Sequence, residues 1–426
     1  MGRFPRRTIV EGNPSQRESI EKGGGPRRAL SNVGGKVLVE SGIARDQALL
    51  HQALSVSADD PYLRSHVHGF HAYPARLHPI TAQRLVAGLT RPGDCVLDPF
   101  CGSATVLVEA QLQGRRAIGL DANPLAIMLA SFKLRRSRSD ERDRLLMDSK
   151  RVAEAAEMRR QSRAGPSRRY PASEACQFDP HVLLELDGLH LGISKLIDPF
   201  CKTGLFLVLS AIVNKVSRRT SDTVSGLSQR RLASGFVIDF FRRKAQELTR
   251  CQAEFSERLP ANSAHDIDIR LGDAQQLPFP NESANAIISS PPYAGVYDYV
   301  EHHRLRMRWL GLSPNHLEQH EIGARRHARA GDAKSFRRIY NSQLRRCLSE
   351  MRRVLTPNGT IALVVADSVL GGKAWYADEE VDALARAIGL IMAAGASQVR
   401  THFHKPTGQA FGRGPRCERL LLFRRI

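Results

Sequence analysis

The sequence predicts one doubly wound α/β domain with a mostly parallel sheet, broken by a mainly helical insertion. Three observations predict it. The apolar strand Cys95-Val96-Leu97-Asp98 runs into a glycine turn and a helix, and the next strand ends on the acid Asp121. Further strands resume only after residue 265. The stretch between, 125–265, reads as helical and strongly basic.

The elements follow in chain order. Residues 1–45 are rich in Gly, Pro, Ser and Arg around Gly23-Gly24-Gly25-Pro26-Arg27-Arg28, and predict a basic flexible arm. A domain over 60–426 follows. Ile80–Leu89 predicts a helix, and Arg91-Pro92-Gly93-Asp94 turns it into the strand 95–98. Thr105–Gln113 predicts a helix and Ala117–Asp121 a strand. The insertion, 125–265, holds an apolar helix, Leu205–Val216, and a polar stretch, Ser217–Arg231; it is a candidate for target recognition. Ile267–Leu271, Asn285–Ser290, Thr360–Ala366 and Glu418–Phe423 complete the sheet. Gly412-Arg413-Gly414-Pro415-Arg416 reads as a hairpin tip, with Arg413 available to a phosphate.

Composition narrows the function class. Sixty-three Lys plus Arg against 43 Asp plus Glu give a net charge of +20, a surplus that attracts a polyanion. The apolar runs Leu205–Val213 and Ile361–Ala366 are too short to span a bilayer, so no membrane partner is expected. No secretory pattern opens the chain. Seven cysteines without a C-x-x-C pair argue against a disulfide framework and for a reducing cytoplasm.

The segment Asp98-Pro99-Phe100-Cys101-Gly102-Ser103-Ala104-Thr105 joins strand to helix. Gly102 lets backbone approach a ligand, and Ser103 and Thr105 offer hydroxyls at the helix start. Asp121 ends the next strand, where a carboxylate can accept both hydroxyls of a ribose. The turn lacks the further glycines of a dinucleotide fingerprint and a phosphate-binding lysine, so NAD and ATP are poorly served. An ordinary tight turn remains the alternative. Upstream, His66, His68, His71 and His78 match no familiar zinc spacing, and no metal is expected.

Ala286-Ile287-Ile288-Ser289-Ser290-Pro291-Pro292-Tyr293 is an apolar strand ending in a rigid turn. Two prolines remove two N–H donors, so the turn presents acceptors and a hydroxyl. A base amino group supplies N–H donors and needs such acceptors. Ser290 Oγ and the Pro291 carbonyl could hold it, with Tyr293 stacked on a base swung out of its helix. A surface Ser-Pro-Pro turn is the alternative. Downstream, Tyr297, Tyr299, Arg304 and Arg308 interleave aromatics with arginine, which suits bases and phosphates; the same helix could turn Leu305 and Trp309 inward.

These two motifs resemble those of the S-adenosylmethionine-dependent amino-methyltransferases acting on cytosine, adenine or RNA guanine. Val96–Thr105 is similar to their D-P-F-x-G-x-G-T loop, with Ala104 where glycine is usual; alanine there requires a negative φ and a slightly different path. Ser290–Tyr293 matches their S-P-P-Y variant. Phe70–Pro79 resembles the cofactor segment preceding the loop, and Gly272–Pro278 their strand-end acid. The resemblance implies a Rossmann-like class I methyltransferase fold and S-adenosyl-L-methionine as cofactor. It implies cofactor contacts from His71, Asp98, Phe100, Gly102, Ser103, Thr105, Asp121, Asp273 and Ala274, and catalysis by Ser290, Pro291, Pro292 and Tyr293.

Asp198-Pro199-Phe200-Cys201 echoes the loop, but no comparable strand precedes it and no ribose acid follows, so it is read as coincidence. Serine in S-P-P-Y favours cytosine N4 in that family, with adenine N6 and RNA guanine N2 as alternatives. RNA guanine enzymes share the order of motifs seen here but add an N-terminal RNA-binding domain, so DNA is favoured over RNA. No Pro-Cys nucleophile stands in the catalytic strand, which sets aside C5 methylation. A site-specific enzyme of this kind admits a companion restriction endonuclease. A nucleic-acid-binding protein with a decayed methyltransferase fold is the non-enzymatic alternative.

Overall fold

The computed structural model describes residues 35–218, 231–261, 267–330, 332–400, 405–412 and 414–426. The expected arm through residue 34, most of the polar stretch 217–231, and Arg413 lie outside the described residues.

Ten strands are described: β1 Val37–Ser41, β2 Cys95–Asp98, β3 Arg116–Asp121, β4 Ile267–Leu271, β5 Ala284–Ser289, β6 Leu355–Ala366, β7 Ser368–Leu370, β8 Lys373–Trp375, β9 Leu390–Arg400 and β10 Arg416–Arg425. Eight form one sheet in the order β1-β9-β10-β6-β5-β2-β3-β4, and β7 pairs only with β8. The pairings β2–β3, β3–β4, β2–β5 and β5–β6 are parallel, whereas β10 runs antiparallel to both β6 and β9. The chain moves outward from β2 to β4, returns, and moves outward the other way from β5. The order therefore reverses between β2 and β5, where a parallel sheet opens a crevice at its carboxyl ends.

Alternation along the central strands builds the core on both faces. Val96, Ala117, Ala286 and Ile288 point to one side, against the helices Pro79–Leu89 and Thr105–Leu112 and the inserted helices. Cys95, Leu97, Ile118, Leu120 and Ile287 point to the other, against Ala333–Val354 and Ala377–Arg386. Asn123 starts the crossover helix Pro124–Leu134: its Oδ1 accepts the Leu125 amide at 3.0 Å, and Pro124 needs no partner there.

The insertion is helical, as expected. Ser139–Gln161, Pro180–Ser194, Pro199–Val216 and Phe236–Arg258 pack together on the first face. Asp198 caps the third of these, accepting the Cys201 amide at 2.9 Å, so the echo of the first loop is a helix start. That helix is longer than its apolar run suggested, and by length and composition alone it could cross a membrane; here 72% of it is buried in the bundle.

Three expectations need correction. Residues 37–45 do not form part of the expected arm, because Val37–Ser41 extends the sheet beside β9 and Ala44–Leu54 is helical. The domain therefore begins near residue 35 rather than 60. Residues 412–416 are not a hairpin tip, since the helix Lys405–Phe411 stands between β9 and β10.

Strand β10 is held by charge. Arg419, 6% exposed, donates Nε to Asp367 Oδ1 at 3.1 Å, and its Nη1 meets Asp378 and, at 3.4 Å, Glu40. Asp367 also accepts the amides of Ala377 and Cys417, each at 2.9 Å. Removing the guanidinium leaves three carboxylates facing one another. Arg419→Met is expected to lower stability in urea by about 3–5 kcal/mol, the usual cost of orphaning a buried ion pair. Acidification should recover part of that loss; an unchanged midpoint would show the cluster to be passive.

Candidate active site

The loops after β2 and β5 meet over an open cavity at the reversal point. Asp98, Phe100, Gly102, Ser103, Thr105, Asp121, Asp273, Ala274, Ser290 and Pro292 border it, so most of the residues singled out in the sequence converge on one space.

Its first wall is the glycine turn. Gly102 has φ +48° and donates its amide to Asp121 Oδ2 at 2.8 Å; the other oxygen accepts the Asn123 amide at 2.8 Å. A Cβ on Gly102 would lie 3.1 Å from the Tyr73 ring. Asp121 thus sets the turn as well as facing the cavity. Ala104 departs from expectation, with φ 67° and ψ 31°. Its amide is bound to Cys101 O at 2.7 Å and the helix begins at the next residue, so the chain keeps the glycine path. Left-handed alanine costs about 1–2 kcal/mol. Full burial of its methyl returns roughly 0.8 kcal/mol of that.

The two motif loops are joined directly. Ser289 donates Oγ to Asp98 Oδ1 at 2.6 Å, and Asp98 also accepts the Phe100 amide at 3.1 Å. Burial nevertheless dominates: the Asp98 carboxyl is pushed up to about 7, and Asp121 to about 6. At the strand end after β4, Asp273 accepts the Gln275 amide at 2.9 Å and faces His320 Nδ1 at 3.1 Å.

A second, smaller and narrower cavity adjoins the first and shares Ala75, Arg76, Leu77 and Ser290 with it. Tyr293 and Tyr297 form one wall, and Arg400 and Glu418 lie on it from β9 and β10. A relay of hydrogen bonds crosses the wall. Ser290 Oγ donates to the Tyr293 hydroxyl at 3.2 Å, Tyr293 donates to Glu418 Oε1 at 3.0 Å, and Arg400 pairs with Glu418.

Other expected residues sit elsewhere. His71 does not border the cavity: it is buried, with Nε2 3.0 Å from Ser210 Oγ on the inserted helix, and Tyr73 lines the cavity two residues on. Pro291 is buried and borders neither cavity. Tyr299 borders the first cavity and Tyr297 the second, both well covered. Arg304 and Arg308 border neither; they pair with Glu301, Glu318 and Glu174 on the outer side of Tyr299–Leu310, whose Leu305 and Trp309 are buried. Arg413 lies outside the described residues.

The sequence did not single out Tyr73, Asn123, Lys133, Arg400 or Glu418. Tyr73 receives a bond from Asn123 Nδ2 at 3.1 Å. Lys133, 1% exposed, donates to the Ser103 carbonyl at 3.1 Å, and burial lowers its pKa to about 7. Its place in an apolar helix was the available signal. Against the expectation of no metal, His66, His68 and Glu109 bring ligand-type atoms within 4.8 Å of one another. His68 Nε2 lies 2.7 Å from Glu109 Oε1, and Tyr62 joins both Glu109 and His66 at 3.4 Å. This network lies off the lining of both cavities.

Strand order, reversal-point cavity and acidic strand ends define the class I methyltransferase fold. Residues 51–131, the segment that carries the glycine turn and Asp121, match the family N6_N4_Mtase, described as DNA methylase. The type II methyltransferase M.MjaII of Methanocaldococcus jannaschii is 32% identical over 83 residues, 20% of this chain and 16% of that protein. The type II methyltransferase M.MvaI of Kocuria varians is 24% identical over 266 residues, 58% of each. A tRNA (guanine(10)-N2)-dimethyltransferase of Methanothermobacter thermautotrophicus is 34% identical over 88 residues, 20% of this chain and 26% of that one. These matches span less than two thirds of each relative.

The raised carboxyls give a pH dependence of defined sign. The fold favours the neutral forms of Asp98 and Asp121, so their contribution to stability is complete below the ordinary carboxyl range near 3.8 and is lost as pH rises towards about 7. Thermal melting without ligand is expected to show this loss between pH 4 and 7. Asp98→Asn, always neutral, should flatten it; an identical slope in the variant would remove Asp98 as a source.

Proposed function

We propose that this protein is an S-adenosylmethionine-dependent methyltransferase that modifies the exocyclic amino group of a base in DNA, cytosine N4 in particular. The observation that carries the reading is the position of Ser290. It borders both cavities, and its hydroxyl proton is committed to Tyr293. Its oxygen lone pairs are left to accept an N–H where the cavities join.

The first cavity fits the cofactor. Asp121 stands where a ribose diol would be accepted, Asp273 where an adenine amine would be, and Asp98 can face an ammonium. Ser103 Oγ is buried and has no hydrogen-bond partner among the described residues, a donor suited to the carboxylate of a methionine moiety. When bound, the cofactor supplies an electrophilic methyl group on sulfur. Ser290 would hold the target amine by an N–H and so turn the nitrogen lone pair towards the first cavity. As the N–C bond forms, the S–C bond breaks to leave a neutral thioether, and the methylated nitrogen releases one proton to solvent. Neither a covalent nucleophile nor a metal is required by this geometry.

The net charge of +20 supports a nucleic-acid substrate, and the type II names of the relatives support DNA. A companion restriction endonuclease belongs to the same reading. RNA guanine N2 is the second reading, supported by motif order and by the tRNA-modifying relative.

Ser290→Ala is expected to lower kcat roughly 100-fold, the scale of one aimed hydrogen bond at a reacting centre. Cofactor affinity by calorimetry should stay unchanged. Full turnover in a folded variant would refute the assignment. Asp121→Ala should weaken cofactor binding and also lower the melting temperature, because the carboxylate braces the Gly102 turn. Mass analysis of nucleosides from methylated DNA should show N4-methylcytosine, while a methylated guanine confined to RNA would establish the second reading.

A further inference from the structure

Away from both cavities, three metal-ligating side chains that methyl transfer does not use come together in the core. His66, His68 and Glu109 are 0%, 1% and 0% exposed, and their ligand-type atoms lie within 4.8 Å of one another. The backbone is bent to make this cluster. His66 and His68 are two residues apart on the short helix His66–Phe70, and side chains at that spacing do not face each other on a regular helix. Here their ring centroids are 4.6 Å apart. His66 has φ +33°, in the left-handed region that favours glycine, and Glu254 Oε2 accepts its amide at 3.0 Å. Its Nδ1 is buried without a hydrogen-bond partner among the described residues, and its Nε2 makes a long contact of 3.4 Å with the Tyr62 hydroxyl. A histidine kept for packing alone needs neither the strained backbone nor the unsatisfied ring nitrogen.

We propose that His66, His68 and Glu109 bind a zinc ion that clips the segment before the first cavity to the helix after the glycine turn. Two imidazoles and one carboxylate are a zinc-type donor set. Ligand atoms about 2.0–2.2 Å from a tetrahedral zinc stand roughly 3.3–3.5 Å from one another. His68 Nε2 and Glu109 Oε1 are 2.7 Å apart, so they would part slightly while the third ligand closes in. The proton between them leaves for solvent as the metal enters, since both atoms must ligate unprotonated. Tyr62 donates to Glu109 Oε2 at 3.4 Å, which orients the carboxylate and leaves Oε1 to the metal.

Arg76, Lys133 and Arg258 are the cations that face the cluster. Arg76 and Lys133 are bonded to the carbonyls of His68, Leu63 and Ser103, and Arg258 is exposed, where water and salt screen it. The placing of the ligands gives the ion its role. Tyr62, His66 and His68 precede Tyr73–Leu77, which lines the first cavity, and Glu109 lies one helical turn after Thr105. The ion would brace that wall without touching the reacting groups.

The test uses the full chain stripped of metal with a chelator, and cobalt(II) as the probe, with neither cofactor nor DNA present. Wild type should take up one cobalt per chain, with the intense visible bands of a low-coordinate site, and zinc should displace it. Zinc should also raise the melting temperature of wild type. Glu109→Gln keeps the side-chain shape and a hydrogen bond to His68, yet should weaken cobalt binding by about 100-fold or more and abolish the zinc-dependent shift. His66→Asn should lose the metal likewise. Asparagine tolerates a positive φ, so this variant should keep the circular dichroism of the metal-free wild type. A wild type that takes up no cobalt, or variants that bind cobalt and respond to zinc as wild type does, would overturn the site. Either result would leave the proposed methyl transfer standing, because no step of it passes through this ion.

Discussion

Ser289 and Asp98 are 191 residues apart in sequence and 2.6 Å apart in space. Their hydrogen bond is the contact on which the site depends. It crosses from β5 to β2, the neighbouring strands where the sheet reverses direction, and both residues are almost completely buried. The strands end here because the chain must leave the sheet on either side of the crevice. One loop carries the glycine turn and the other carries Ser290. Without the bond, each loop would still follow its strand, but their relative position would rest on packing alone.

The same burial that fixes these loops leaves their carboxyls poorly solvated. Burial pushes Asp98 up to about 7 and Asp121 up to about 6, and the bonds they accept from hydroxyl and amide groups only partly offset it. Such acids gain most from a ligand that brings a positive charge or several hydroxyl donors. Lys133 beneath the loop is the reverse case, a cation held near 7 by burial while bonded to the Ser103 carbonyl. The turn is thus stiff and electrostatically unfinished, with its remaining interactions aimed into the cavity.

How much of this was legible in the sequence depends on the range of the signal. The strands β2, β3, β5 and β6 were visible as apolar runs beside turn residues, because buried parallel strands need continuous apolar sequence; β4 showed alternation and antiparallel β10 an apolar centre. The edge pair was not. Leu390–Arg400 is diluted by alanine and glycine, and Val37–Ser41 lies within a polar, basic region that reads as an arm. Ala104 was misjudged because propensity weighs a residue alone, whereas the bonds of Gly102 and Ala104 fix the path around it. His71 stood in the right segment and faced the wrong way, with Tyr73 two residues on taking the cavity. Arg400 and Glu418 could not be found by motif at all, since only the β9–β10 pairing brings them behind Ser290.

Besides the bonds of Lys133 to Ser103 and of His71 to Ser210, one helix after the second motif ties the insertion to the site. Tyr299–Leu310 begins a few residues after Tyr293 and buries Trp309 against Tyr170, Phe178 and His190 of the inserted segment. Midway along it, His303 stacks on Tyr73 with ring centroids 4.7 Å apart. Tyr73 in turn borders the first cavity, with its ring 3.1 Å from where a Cβ on Gly102 would stand. A shift of the insertion would therefore be felt on both sides of the reacting centre, at the turn after β2 and at the turn after β5. Close-packed aromatic contacts transmit displacement because they have little free volume to absorb it. The catalytic half of the sheet is in this sense continuous with its insertion, and the bundle is part of what holds the two cavities in register.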